Sequence, residues 1–418
     1  MRIVLACWGS YGDLFPYLGL AQELQSRGHT PVVATIPFHA DIVRSRGFEY
    51  ARLRPDVNPD DSALIARVLD PARGSEVVVR EMVMPGLRDQ YEDLAAAIEG
   101  ADGFVSHPVT FAAPVLGDRT GLPWVSSVLS PVSFFSVHDF PVLPVLPAAR
   151  HLRALGTWTS RALLAMARRA TRSWTAPVRE LRATLGLPDR GEPVLEGQFS
   201  PFGTIALFSP LFGPPQSDWP AGARATGFVF DNRAIAMPQE VSAFLDAGAP
   251  PVVFTLGSSA VGSPGAFYEE SVRAARLAGR RALLLIGREE NRPASATGAD
   301  VYAALSAPHD EVFPRAAAIV HHGGVGTTAQ ALRSGRPMLV TPFAHDQPDN
   351  AYRAAALGCG RVCDPRRYSA PIVAKHLRAL VEDQAYASSA ASVGEKIRAE
   401  HGAEAAADAV IDAMRGKS

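Results

Sequence analysis

The sequence predicts an α/β fold of two doubly wound parallel-sheet domains that face each other across a cleft. Short apolar runs alternate with helical patterns in both halves of the chain, as expected for parallel strands buried beneath crossover helices. The chain has 418 residues, which is too long for one ordinary hydrophobic core. A stretch rich in proline and glycine separates the two series of strands and indicates a linker.

Each half supplies its own set of predicted elements. In the first half the strands are residues 3–7, 31–35, 103–106, 123–128 and 203–208, with a helix over 15–27 that Gly28 ends. In the second half the strands are residues 251–256, 281–286, 301–305, 317–320 and 337–340, followed by helical sequence from 369. The predicted boundaries are a first domain over 1–212, a linker over 213–235, a second domain over 236–395 and a helical tail over 396–418.

Composition argues against several classes of protein. The 41 Lys and Arg residues nearly balance the 42 Asp and Glu residues, for a net charge of −1, so the overall balance gives no reason to expect nucleic acid or an anionic membrane as a partner. The three cysteines show no disulfide or zinc pattern. The first apolar run is too short for a signal peptide, and no run reaches the ~18 residues of a transmembrane helix. We therefore expect a reduced, cytoplasmic protein without a transmembrane segment.

The most informative motif is a glycine turn between a predicted strand and a predicted helix. Residues 321–328 read His-His-Gly-Gly-Val-Gly-Thr-Thr, directly after the apolar run 316–320. Such a turn directs backbone N–H groups and the positive end of the helix dipole at one point, which favours an anion. The residues expected to bind a diphosphate here are His322, Gly324, Gly326 and Thr327. Ser258 and Ser259 end another strand and also suit phosphate, although Gly-Ser-Ser is a common turn sequence as well.

Three further groups extend this site toward a sugar and a nucleoside. Asp346 and Gln347 place a carboxylate beside an amide, a pair that suits sugar hydroxyls. Ala307 and His309 could hold a base edge, although His309 fits a helix cap equally well. Since no Asp-x-Asp motif stands in a suitable turn, no metal is expected. These residues together indicate a site for a nucleotide-diphosphate sugar.

The first half contains a candidate acid–base residue and a candidate apolar pocket. Asp13 follows the first predicted strand, so it is either a helix N-cap or a general base that takes a proton from a hydroxyl. Apolar and aromatic residues near the predicted loops could form a pocket for the hydroxyl-bearing molecule, or could only fill the core. These candidates are Met82, Phe134, Phe135 and His138. His107 and the other lone histidines are interpreted as ordinary packing or surface residues.

The motifs resemble the GT-B glycosyltransferases of the UDP-glycosyltransferase superfamily over essentially the whole chain. Residues 12–16, Gly-Asp-Leu-Phe-Pro, match the family's N-terminal turn in its Asp form, and the glycine turn with Asp346-Gln347 matches its C-terminal signature. Residues 212–220 and 344–351 are most similar to the catalytic chain of rhamnolipid rhamnosyltransferases, beside bacterial natural-product and sterol glycosyltransferases. Two positions depart from the plant members. Ser306 replaces a base-stacking Trp, and Gln330 replaces a Glu on the ribose.

The resemblance implies two facing Rossmann-like domains, the first binding the acceptor and the second the nucleotide sugar. It implies an inverting, metal-independent transfer of rhamnose or glucose from a dTDP- or UDP-sugar, with Asp13 as base, Gln330 near the nucleoside and no cofactor. The acceptor would be an apolar or aromatic small molecule, such as a lipid hydroxy acid, a flavonoid or another natural product. A lipid acceptor would make the enzyme peripheral to the membrane. The sugar, the nucleotide base, the acceptor and the oligomeric state stay open.

Two other functions fit parts of the sequence. A nucleotide-sugar epimerase can share the two-domain architecture, but would need acid–base groups around the sugar and no acceptor pocket. A non-catalytic partner of a glycosyltransferase would be expected to lack the base or the phosphate donors, whereas this sequence contains candidates for both.

Overall fold

The chain divides into two compact units. The computed structural model describes residues 1–58, 61–146, 156–231 and 236–416. Unit 1 consists of Met1–Asn58, Ala72–Asp231 and His401–Ser418, and unit 2 consists of Pro59–Pro71 and Asn232–Glu400.

Each unit contains one parallel β-sheet. In the described residues the first sheet has seven strands in the order β3-β2-β1-β4-β5-β6-β7, and the second has six in the order β10-β9-β8-β11-β12-β13. The strands are β1 Arg2–Ala6, β2 Thr30–Thr35, β3 Glu49–Arg52, β4 Gly103–Ser106, β5 Trp124–Val128, β6 Thr204–Ala206, β7 Ala223–Ala225, β8 Val252–Thr255, β9 Ala282–Leu285, β10 Val301–Ala304, β11 Ala318–His321, β12 Met338–Val340 and β13 Gly360–Val362. The predicted α/β class, with two parallel-sheet domains, is confirmed.

Helices connect the strands in both units. The α-helices are α1 Tyr11–Ser26, α2 Ala40–Ser45, α3 Ser62–Val68, α4 Gly74–Glu76, α5 Leu87–Ala97, α6 Ala112–Thr120, α7 Thr157–Thr171, α8 Ala176–Thr184, α9 Gln239–Asp246, α10 Gly257–Ala260, α11 Phe267–Leu277, α12 His309–Val312, α13 Val325–Ser334, α14 Gln347–Ala356, α15 Ala370–Glu382, α16 Gln384–Arg398 and α17 Gly402–Met414. A π-helical segment, Val77–Val83, precedes α5. None of the helices in the described ranges is long and apolar enough to cross a membrane.

The central strands are buried on both faces, as a sheet covered by helices on both sides requires. β4 and β5 are buried at every position, and the rings of Phe104 and Trp124 stack with centroids 5.8 Å apart. Phe254 and Val320 lie in the corresponding core of unit 2. Burial of this kind fixes where each strand ends, and therefore where the loops emerge.

The structure adds three strands that the sequence pattern did not predict, namely β3, β7 and β13. Each is short and carries an arginine, so it lacks the apolar run on which the prediction relied. β7 lies inside the predicted linker, 213–235, and pairs with β6. This stretch therefore completes the sheet of unit 1 as far as Asp231, and residues 232–235 lie outside the described part.

The C-terminal helix α17 packs on unit 1 rather than continuing unit 2. A Cβ atom at Gly402 would lie only 2.3 Å from the carbonyl oxygen of Phe228, so the helix start lies directly against that backbone. Arg27 on α1 also forms an ion pair with Asp408 on α17. The tail is helical, as predicted, but its packing depends on contacts with residues distant in sequence.

Candidate active site

Three loops of unit 2 emerge next to one another because their strands are neighbours. β11 pairs with β8 and with β12, and His321 is opposite Thr255 on one side and Val340 on the other. The chain after each strand therefore leaves the same edge of the sheet, where ligands of doubly wound folds collect. These loops contain the predicted diphosphate and sugar residues.

The ring of His322 lies between two glycines. A Cβ atom at Gly257 would lie 2.5 Å from His322 Cε1 and 3.2 Å from Thr327 Oγ1, and one at Gly324 would lie 2.5 Å from His322 Nε2. Gly257 also has a φ of +59°, a conformation that glycine adopts without strain. The structure thus brings together His322, Thr327 and the turn that contains Ser258, whose side chain is exposed. The side chain of Ser259 lies outside the described part of the structure.

The glycine turn presents the start of α13 at this edge. Gly324 is the N-cap of α13, so the amides of Val325, Gly326 and Thr327 are in the first turn, where helical N–H groups have no acceptor within the helix. The amide of Gly323 is used internally, since it donates to His321 Nδ1 at 3.1 Å. His321 therefore supports the turn, while the amides of α13 and the side chain of His322 can contact an anion.

His322 is neutral at physiological pH in this environment. Burial, and to a smaller extent the nearby His309, lowers its pKa to about 4. A neutral imidazole has one N–H donor and one acceptor nitrogen. His322 can thus donate one hydrogen bond to a phosphate oxygen without contributing a positive charge of its own.

The predicted sugar-binding pair is held in a strained loop. His345 has a φ of +56°, which is unusual for a residue other than glycine and typical of functional loops. Gln347 Oε1 accepts hydrogen bonds from the amides of Phe343 and Ala344, at 2.8 and 3.1 Å. The oxygen of Gln347 therefore closes its own loop, which leaves its N–H₂ group as the donor for a sugar hydroxyl.

Asn350 connects this sugar loop with the glycine turn. It is fully buried, and its Nδ2 donates to Asp346 Oδ2 at 2.7 Å and to the carbonyl oxygen of Gly323 at 2.9 Å. The sequence reasoning did not assign a role to Asn350. The available signal was the spacing of four residues between Asp346 and Asn350, which would place the two side chains on one face of a helix.

The three predicted nucleoside residues are also in unit 2. Ala307 is half-buried, and the ring of His309, the first residue of α12, stacks on Phe313 with centroids 4.4 Å apart. Gln330 is on α13, and its Oε1 is buried without a hydrogen-bond partner among the described residues. A buried oxygen of this kind is costly to leave unpaired, and a ribose hydroxyl is a suitable donor for it.

In unit 1, Asp13 belongs to the first turn of α1 rather than preceding the helix. Ser10 is the N-cap, and Asp13 completes a capping box. Its Oδ2 accepts hydrogen bonds from the amide and the hydroxyl of Ser10, at 2.7 and 2.9 Å. Asp13 therefore takes part in capping α1, but from the N3 position, and its interpretation as the N-cap is wrong because Ser10 occupies that position. Its side chain remains 30% exposed, so a ligand can still reach it.

His107 is the partner of Asp13, which corrects its interpretation as an ordinary packing residue. Its Nε2 lies 3.3 Å from Asp13 Oδ1, and the side chain is only 7% exposed. The amide of Val109 points at Nδ1, 3.5 Å away, which favours the tautomer with the proton on Nε2. His107 directly follows β4, and Asp13 is in the first turn after β1. Because β1 and β4 pair in parallel, the two side chains meet at one sheet edge.

Burial and hydrogen bonding act in opposite directions on Asp13. Burial raises the pKa of the carboxyl group, but the hydrogen bonds from His107 and Ser10 outweigh it and leave the pKa below its ordinary value. Asp13 is therefore ionised at physiological pH. A carboxylate in this state can accept a proton, although as a weaker base than an ordinary Asp.

The predicted acceptor residues in unit 1 have different environments. Phe134 is buried and stacks on Trp219, with centroids 4.0 Å apart, so its ring packs in the core instead of facing an open pocket. Phe135 is half-buried with a φ of +47°, and His138 is exposed. Met82 is half-buried in the π-helical segment. Aromatic residues in a sequence do not distinguish a core from a pocket, which explains the outcome for Phe134.

Similar proteins share this architecture along nearly the whole chain. A family model described as the C-terminal domain of erythromycin biosynthesis protein CIII-like proteins matches residues 284–413. The chain is 33% identical over 416 residues to an O-mycaminosyltylonolide 6-deoxyallosyltransferase of Streptomyces fradiae, covering 97% of this chain and 95% of that protein. It is 27% identical over 429 residues to a sterol 3-beta-glucosyltransferase of Leptosphaeria maculans, covering 97% of this chain but only 28% of that protein.

Solved structures are also similar to this chain along nearly its whole length. The glycosyltransferase of kitacinnamycin superposes with a TM-score of 0.70 at 25% identity, covering 99% of this chain and 98% of the other. A spinosyn rhamnosyltransferase complexed with thymidine diphosphate shares the fold, with a TM-score of 0.69 at 19% identity, covering 99% of this chain and 100% of the other. Together with the identity to the deoxyallosyltransferase, these similarities show that the chain belongs to the GT-B glycosyltransferase superfamily and is an enzyme that transfers sugars.

Proposed function

We propose that this enzyme is an inverting, metal-independent glycosyltransferase that moves a hexose from a dTDP- or UDP-sugar to a hydroxyl group of an apolar or aromatic small molecule. The observation that carries the proposal is the arrangement at one edge of the unit 2 sheet. There His322 lies between Gly257 and Gly324, beside the start of α13, and Asn350 bonds the same turn to Asp346. A phosphate site and a sugar site are thereby adjacent.

The donor is held through its diphosphate, its sugar and its nucleoside. His322, Thr327, Ser258 and the first amides of α13 bind the diphosphate. Asp346 and Gln347 bind the sugar hydroxyls, and Gln330 accepts a hydrogen bond from the ribose. The bound thymidine diphosphate of the spinosyn rhamnosyltransferase supports a dTDP-sugar. That enzyme is named for rhamnose and the other relative for 6-deoxyallose, which supports a hexose as the transferred sugar.

Transfer then proceeds by direct displacement. The acceptor hydroxyl attacks the anomeric carbon from the face opposite the diphosphate, the new C–O bond forms as the bond to the diphosphate breaks, and the hydroxyl proton passes to Asp13. His107 holds the carboxylate of Asp13 in place through its Nε2–H group. Negative charge that develops on the departing diphosphate is stabilised by His322 and α13, and each such donor can contribute about 2.7–4 kcal/mol.

The acceptor is proposed to bind unit 1, where Asp13 lies. The deoxyallosyltransferase and the sterol glucosyltransferase are named for large, largely apolar acceptors, which supports an apolar hydroxyl-bearing molecule. Met82, Phe135 and His138 remain candidates for this surface. The three cysteines are free and buried, which is compatible with a cytoplasmic location.

The first test is binding of thymidine and uridine diphosphates, measured by calorimetry. We expect His322→Ala to lower the affinity for whichever diphosphate binds more tightly by about 10- to 100-fold, because a hydrogen bond to a charged phosphate is lost. His401→Ala is the matched control, since His401 is 75% exposed and lies in unit 1, and it should not change the affinity. Equal affinity of the His322 variant and the native protein would remove His322 from the donor site.

A second prediction concerns Asn350. Asn350→Leu removes both hydrogen bonds that connect Gly323 with Asp346, so we expect the KM for the sugar nucleotide to rise about tenfold, as for one or two lost buried hydrogen bonds. Asn291→Leu is the control, because Asn291 Nδ2 also donates to two carbonyl groups in unit 2, each at 2.9 Å. If both variants lose stability and neither changes KM, Asn350 has only a structural role.

A third prediction concerns Asp13. Asp13→Asn keeps the size of the side chain but removes the base, so we expect transfer to slow by about 10²- to 10⁴-fold while donor affinity is retained. The control is Asp383→Asn, which alters a capping carboxylate at the start of α16 without removing a base. Turnover of Asp13→Asn near the native rate would leave Asp13 with its capping role alone.

The pH dependence of kcat/KM tests the role of His107. Asp13 acts as a base only when ionised, so activity falls as the pH drops through its pKa, which His107 helps to lower. In the His107→Phe variant, that hydrogen bond no longer opposes the effect of burial on the pKa of Asp13. The pKa of Asp13 then rises, and the acid limb moves to higher pH. An unchanged acid limb, even in a less stable variant, would contradict a role for His107 in positioning Asp13.

A fifth prediction is that transfer continues in EDTA. In the proposed mechanism His322 and the amides of α13 take the role that a divalent cation has in other enzymes of phosphate chemistry. The measurement is the initial rate after dialysis against EDTA, with and without added magnesium or manganese. Loss of activity that either metal restores would show that the diphosphate needs a cation.

A further inference from the structure

One segment of unit 1 has a charge balance unlike that of the chain. Residues 140–179 contain seven arginines, namely Arg150, Arg153, Arg161, Arg168, Arg169, Arg172 and Arg179, and no Asp or Glu. The chain as a whole has a net charge of −1, so acidic residues elsewhere offset this excess. A local run of like charge favours a partner of opposite charge.

Helix α7 displays part of this segment at the surface. Its inner face is marked by Ser160 and Thr171, which are buried. Trp158 and Met166 are 68% and 65% exposed, more than any other large hydrophobic residue in the described ranges. They are eight residues apart, or about 12 Å along the helix axis.

Arginines flank these apolar side chains. Arg161, Arg168 and Arg169 are exposed on α7, and Arg168 forms an exposed ion pair with Glu196. Ala162 and Ala165 are exposed between Trp158 and Met166, so the outer surface consists of small, apolar and cationic residues. Within α7 itself there is no acidic side chain.

We propose that this outer face of α7 docks the enzyme on an anionic lipid bilayer. Trp158 and Met166 insert at the level of the headgroups, where a tryptophan ring contacts both water and acyl chains. The arginines contact lipid phosphates, with their aliphatic stems along the membrane surface. A protein interface would be expected to have a more continuous apolar centre, whereas separated apolar residues among arginines suit the headgroup region.

The interaction is reversible and depends on salt. Each arginine near an anionic surface raises the membrane-binding constant by about fivefold, and added salt screens this attraction within a Debye length of about 10 Å at moderate ionic strength. None of the residues proposed to bind the donor or the acceptor belongs to α7. Docking on lipid therefore does not depend on the proposed function.

The experiment is co-sedimentation of the full chain with vesicles. One set contains phosphatidylcholine alone, and the other contains two parts phosphatidylcholine to one part phosphatidylglycerol. We expect binding only to the anionic vesicles and a decrease with added salt. The double variant Arg161→Gln/Arg169→Gln should bind about 30-fold more weakly, and Trp158→Ala about tenfold more weakly because apolar surface is lost.

The matched control is the double variant Arg44→Gln/Arg224→Gln, which makes the same change in net charge elsewhere on unit 1, at side chains that are 61% and 57% exposed. It should bind vesicles nearly as well as the native chain. Thermal unfolding and affinity for the nucleoside diphosphate confirm that each variant is folded. The proposal is wrong if the native chain does not bind anionic vesicles, or if the α7 variants and the control bind equally. It is also wrong if Trp158→Ala instead dissociates an oligomer or changes the KM for the acceptor.

Discussion

The proposed donor site depends on the contact of the His322 ring with Gly257 and Gly324. A larger residue at either glycine would have to displace the ring, because a Cβ atom would lie 2.5 Å from it at both positions. Parallel pairing of β8 and β11 brings the two loops to this distance, and the buried apolar strands hold that register. The position of one imidazole is therefore determined by the packing of the whole sheet, which is how a rigid fold can present a donor to a phosphate without a large entropic cost.

Hydrogen bonds have different effects in the two candidate centres. In unit 2 the amide of Gly323 and the carbonyl of Gly323 are both engaged, by His321 and Asn350, so the turn is rigid before any ligand binds. In unit 1 Asp13 accepts hydrogen bonds from Ser10 and contacts His107, which keeps it ionised but weakens it as a base. A weak base is sufficient if the acceptor hydroxyl gives up its proton late in the reaction. This is the case when the transition state has oxocarbenium character.

The sequence predicted the fold more completely than the site. Strands such as β9 and β12 are continuous apolar runs, so the apolar pattern identified them, whereas β7 reads Ala-Arg-Ala and forms by pairing with β6. The proximity of His322 and Thr327 was also predictable, because both lie in one local motif. His107 was not, because its contact with Asp13 depends on the register of β1 with β4. Phe134 shows the reverse problem, since only the structure reveals that Trp219 covers it.

The net charge of a chain does not predict the charge of an individual surface. A net charge of −1 gave no reason to expect an anionic partner, yet electrostatic attraction decays over a few ångströms to a nanometre in salt. A partner on α7 therefore interacts with Arg161 and Arg169, and hardly with acidic residues on distant parts of the molecule. Because Trp158 and Met166 are exposed on the same helix, the apolar and electrostatic terms act at one place. Local charge and local exposure, taken together, are what a binding partner encounters.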